Sequence, residues 1–113
     1  MVPHCEAMAA DVAVALIPNS LVPSGGQVDK TRVASIVTVD NLHDVDTGYN
    51  RRTCQGIIRL VNGSAQYEAT FRVEQAEGLQ DWKVVTFLDH GKPEFDQLVT
   101  QIQRAYVQGG KGE

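Results

Sequence analysis

The chain has 113 residues, 42% hydrophobic and 21% charged, with a net charge of −4 and a pI near 5.3. That is one domain of ordinary globular composition with a modest core. The acidic balance and scattered Lys and Arg argue against nucleic acid, which needs clustered cations. The one adjacent basic pair, Arg51-Arg52, reads as a solvated turn. No segment supplies the roughly eighteen apolar residues of a membrane span. The longest candidate, Ala7 to Ile17, contains Asp11 and stops at Pro18, so no membrane insertion by this chain is expected.

The start lacks a basic region followed by an apolar run, the pattern of a secretory signal. With Cys5 so near the start, the expectation is an exported or anchored chain whose upstream segment has been removed. Glu6 to Ile17 reads as a helix, because Met8, Val12, Ala15 and Leu16 recur at helical spacing with Cys5 one turn earlier. Glu6 places negative charge in the first turn, and Pro18 stops the helix. Asn19 to Asp29 reads as a loop built on Pro23, Ser24, Gly25 and Gly26. Thr31 to Leu42 is rich in Val, Ile and Thr and predicts a strand. His43 to Arg52 is polar and reads as a long connection.

Asn62-Gly63 is a strong hairpin signal, because a type I′ turn needs positive φ at both central positions. Beyond it Ala65, Tyr67, Ala69, Phe71 and Val73 alternate with polar residues, so one face is core. The register then sets Ile58 against Tyr67 and Cys54 against Phe71, on the core side. Gln75 to Asp81 is a connection, and Trp82 to Leu88 a last strand, with Trp82, Val84, Thr86 and Leu88 sharing one side. Pro93 opens a helix. Its stripe is Phe95, Leu98, Val99, Ile102, Ala105 and Tyr106, and Gly109-Gly110 end it. The expected fold is a single α+β domain, residues 1–108, with an N-terminal helix on a curved four-stranded antiparallel sheet and a C-terminal helix. Residues 109–113 are expected to form a disordered tail.

The chemistry is sparse. Cys5 and Cys54 both face the core, which suits a disulfide closing some fifty residues if their Cα atoms come within about 7 Å. The alternative is a pair of buried thiols packing as small hydrophobes. No Cys/His spacing forms a zinc site; His4 beside Cys5 is the nearest approach. A nucleophilic cysteine would need a base, and His43 and His90 stand in turns with no spacing logic. Asp44, Asp46, Gly48 and Asn50 fall short of a calcium loop, since Gly48 stands where a ligand belongs. With Asp40 they read as a solvated turn. No cofactor is called for.

Cys5 before a helix, Asp40-Asn41-Leu42, Cys54 opening a strand, Tyr67 within an alternating strand and Trp82-Lys83-Val84-Val85 together resemble small exported bacterial domains. Their fold is cystatin-like or nuclear-transport-factor-2-like. The resemblance implies a helix cradled by the sheet, bonded cysteines and a periplasmic or otherwise extracytoplasmic place behind a membrane anchor or lipoprotein signal. It brings no inhibitory hairpin, since the tip here is Val61-Asn62-Gly63-Ser64. The function expected is a non-enzymatic binding or accessory domain, its partner another protein or a second copy, recognised by a sheet edge, the outer face or the loops. Ile57, Val61, Val85 and Phe87 alternate out of the core row, as an interaction patch or a seat for the second helix. Two alternatives are a small-ligand-binding or hydrolytic domain with a pocket under the first helix, and an immunity or inhibitor protein.

Overall fold

The computed structural model describes residues 4–22, 26–48, 50–63, 65–75 and 83–111. Alternation drives the sheet. β1 (Val37–Gly48), β2 (Arg51–Leu60), β3 (Gln66–Gln75) and β4 (Lys83–Phe87) form an antiparallel meander in the order β1-β2-β3-β4. β2 buries every second residue from Arg52 to Leu60, and Ala69, Phe71 and Val73 of β3 join them on one face. Cys54 stands opposite Phe71 and Ile58 opposite Tyr67, as expected. The turn is different in kind: of Asn62 and Gly63, Gly63 alone has positive φ, 76°, and its N–H donates to Leu60 O at 2.8 Å. The turn is therefore not type I′. The register holds because a one-residue slip would turn the whole buried row to water.

β1 departs from expectation at both ends. Lys30–Ala34 is a short helix, α2, instead of a strand start. Asp29 caps it, accepting from Thr31 N–H at 3.0 Å and Arg32 N–H at 3.2 Å. An Asp directly before Lys-Thr-Arg-Val-Ala was the signal for it, masked by the β-branched residues that follow. At the other end the polar run from His43 to Gly48 is strand and not connection, and it turns at Asn50 with φ 58°. An edge strand with one wet side tolerates such a run. Two bulges interrupt it, between Asp40 and His43 and between Asp44 and Asp46. At the first, Asn41 takes φ 54°, and Leu42 lies over Gly56. A Cβ on Gly56 would stand 2.6 Å from Leu42 Cδ2.

β4 presents the opposite faces from those expected. Val85 pairs with Val73 and Phe87 with Phe71, so both look towards the core. Val84 and Leu88 look outward, 48% and 43% exposed. Both rows of this strand are apolar, so alternation could not choose between them, and the buried row of β3 does. Trp82 lies outside the described residues.

Both helical covers lie on the one apolar face. A 3-10 turn, Cys5–Met8, runs into α1 (Ala9–Ala15) and buries Cys5, Met8, Val12 and Ala13. α3 (Pro93–Lys111) starts at Pro93 as expected and continues past Gly109-Gly110, so the helix reaches into the segment expected as tail. It buries Phe95, Leu98, Ile102 and Tyr106. Its stripe sits on the core face and not on an outer row. Phe95 meets Tyr67 and Phe87 with ring centroids 5.6 Å away in each case. Gln103 Nε2 donates to Leu16 O at 3.1 Å and Asp29 N–H to the Tyr106 hydroxyl at 3.0 Å, which ties α3 to the N-terminal half.

Candidate functional site

The two cysteines meet. Cys5 and Cys54 form a disulfide with Cα atoms 5.8 Å apart, and both residues are wholly buried. Asp44 completes this corner. Its Oδ1 accepts the Cys5 N–H at 3.0 Å, and its Oδ2 pairs with Arg52 Nη1 and lies 3.4 Å from His4 Nδ1. The Cys5 N–H, helped by His4 and Arg52, holds the Asp44 carboxyl below its ordinary range. Arg52, read as part of a solvated turn, lies on the core side of β2 at 8% exposure and also donates to Thr47 Oγ1 at 3.2 Å. A carboxylate oxygen and both sulfurs fall within 4.8 Å of one another, the arrangement of a metal cluster. The sulfurs are bonded to each other, however, and neither is the thiolate that a metal or a substrate would need.

A second polar corner closes the other end. Asp89, 4% exposed, follows β4 and accepts Thr70 N–H at 2.8 Å and Lys92 Nζ at 2.8 Å. Burial alone would raise the Asp89 carboxyl. Lys92 and the Thr70 N–H outweigh it, and the net shift is downward. Burial, and then the charge of Asp89, push the Tyr67 phenol up. Asp89 takes the strand N–H that the β4 carbonyl would otherwise take, so this corner ends the ladder and starts the turn into α3. Nothing in the sequence marked it beyond an Asp in a turn.

The expected patch does not form as a unit. Ile57 is half-buried on the outer face, Val61 is exposed beside the hairpin turn, and Val85 and Phe87 belong to the inner row. The outer face is chiefly polar. Arg59 Nη1 pairs with Asp40 Oδ2 at 3.0 Å and its Nε with Gln66 Oε1 at 3.1 Å, and Gln55 reaches Thr70 at 3.3 Å. His43 is exposed and turned to Asn41 O at 2.8 Å. Neither His43 nor Asp40 lines the groove of about 250 Å³ between α1, α2 and β1, which is floored by Ala9, Ala13, Val33 and Val37.

The two sheet edges differ. β1 is guarded by its bulges, by Asp40, Asp44 and Asp46, and by α1 and α2 packed along it. β4 has no register shift against β3. Leu88 N–H donates to Thr70 O at 2.9 Å, so ladder bonds fall at positions 84, 86 and 88. In an antiparallel pair the bonds alternate, and Val85 and Phe87 therefore turn their N–H and C=O away from β3. No described residue takes them. Val84 and Leu88 flank this edge with exposed apolar side chains, and no charged residue occurs from Val84 to Leu88.

Compared with known proteins, the chain matches no family model, no curated relative and no solved structure. No helix among the described residues is long and apolar enough to cross a membrane.

Proposed function

We propose that this protein is a non-enzymatic, extracytoplasmic binding or accessory domain of the cystatin-like class that works by protein–protein contact through the edge of β4. One observation carries the reading: a regular strand edge with the backbone of Val85 and Phe87 turned outward, flanked by exposed Val84 and Leu88. Unguarded edges of this kind are templates for strand addition. The buried disulfide supports the compartment, since such bonds persist in oxidising surroundings. The order helix, four-stranded meander, helix supports the class.

A displayed library of short peptides, panned on the wild-type domain, should enrich extended sequences with alternating apolar residues. Their binding should vanish on Val84→Lys/Leu88→Lys, a change confined to exposed side chains. No enrichment, or equal binding to both proteins, would sink the reading. The compartment is checked separately by intact mass after alkylation with and without reductant. Two free thiols in protein taken from its native surroundings would contradict it.

A further inference from the structure

We infer that the chain which adds to β4 is a second copy of this protein, paired antiparallel about a two-fold axis at Thr86, so that two four-stranded sheets become one of eight strands. The inference rests on β4 being a pairing edge and goes further by naming the occupant and the register. Lys83, Val85 and Phe87 turn backbone groups outward. An axis at Lys83 or Val84 would leave Leu88 with no β4 residue of the second copy opposite it, so pairing within Val84 to Leu88 has to match Val85 with Phe87 or each with itself. Matching Val85 with Phe87 of the second copy centres the axis on Thr86. It then sets Val84 opposite Leu88 of the second copy, Leu88 opposite Val84, and Thr86 opposite Thr86.

These three positions share the outer face of the sheet, where Val84 and Leu88 are the exposed apolar side chains of this strand. Each of these two exposed apolar side chains thus finds an apolar partner across the new pair. Threonine meets threonine at the centre, a favourable cross-strand match. All three fall at positions without direct backbone bonds, where facing side chains approach most closely. The same register brings no like charges together within Val84 to Leu88. A strand that complements itself at every outer position is what a two-fold interface requires. Matching Val85 with itself would set Val84 against Thr86, and matching Phe87 with itself would set Leu88 against Thr86. Each leaves an apolar side chain opposite a hydroxyl.

Sedimentation equilibrium over a range of concentrations tests the association, and cysteine substitutions read the register. The wild type should pass from monomer to dimer as concentration rises. Val84→Lys/Leu88→Lys should weaken association by at least about tenfold while leaving the native disulfide and the unfolding transition in place. Thr86→Cys should oxidise readily to a covalent dimer, because its sulfur meets its own copy. Val84→Cys, which faces Leu88, should not, and Val84→Cys/Leu88→Cys should. An equimolar mixture of Val84→Lys and Leu88→Glu should form a heterodimer tighter than either variant alone. A wild type that stays monomeric at millimolar concentration overturns the inference, as does a dimer in which Val84→Cys crosslinks as fast as Thr86→Cys. If that monomer still selects peptides through Val84 and Leu88, the binding reading stands and only the second copy falls; if it selects none, both fall.

Discussion

Two helices cover the same apolar face, and they are attached by different means. At the N-terminal end the Cys5–Cys54 bond fastens the first helical turn to β2, and Asp44 takes the Cys5 N–H. At the C-terminal end α3 is held by the Phe95, Tyr67 and Phe87 rings, and Asp89 takes the Thr70 N–H while pairing with Lys92. Each corner uses one aspartate to anchor a backbone N–H across elements. One cover has seven residues of regular α-helix behind its staple, the other nineteen. A short helix with a narrow buried stripe contributes little by itself, and the crosslink offsets what its packing lacks. A long amphipathic helix needs none.

That contrast is open to direct attack, the largest expected effect first. Cys5→Ala/Cys54→Ala releases a 49-residue separation, and the chain-entropy model puts the loss at about 4 kcal/mol, to be read from denaturant midpoints. Hydrogen exchange on the reduced wild type sharpens the point. Amides of α1 should lose protection before those of α3, and simultaneous loss would mean that the two covers are one cooperative unit. Phe95→Ala should cost about 3 kcal/mol by emptying the ring cluster, and exchange should then quicken in α3 first. Asp89→Ala strands the Thr70 N–H and should cost about 2 kcal/mol in thermal or urea unfolding.

Both anchoring aspartates also predict an acid limb. Their carboxyls are held below the ordinary value when folded, so the unfolded chain takes up protons first as pH falls. Their contribution is complete above the unfolded aspartate pKa of about 3.9 and is lost as pH drops through the folded values. Asp89→Asn should flatten that limb, and an unchanged profile would remove Asp89 from the account. Gly56→Ala, whose new methyl must displace Leu42, should cost about 1 to 2 kcal/mol. Smallest of all, Arg59→Gln on the outer face breaks an exposed pair and should shift stability by less than about 0.5 kcal/mol.

Much of this was readable beforehand for a specific reason. The buried rows of β2 and β3 alternate with polar residues, so face and register follow from period two alone, and with them the position of Cys54 opposite Phe71. The apolar stripe of α3 is equally plain. Legibility failed where both candidate patterns were apolar or both were polar. β4 offers Val84 and Leu88 on one row and Val85 and Phe87 on the other, and Val85 and Phe87, expected in an outer patch, turn inward. His43 to Gly48 looked like a connection because an edge strand wetted on one side need not alternate. Arg52 looked solvated because its partner, Asp44, is brought beside it only by strand pairing.

The amino-acid sequence by itself therefore determined the strand pair at the centre, the two covering helices and the core-side place of both cysteines, since each depends on local periodicity and on a single face that must leave water. Tertiary structure decided that the cysteines meet, which row of β4 is inner, how far β1 runs and which sheet edge the described residues leave unguarded. Those choices depend on neighbours distant in the chain: on β3 for β4, on β2 for β1, and on α1 and α2 for the guarded edge.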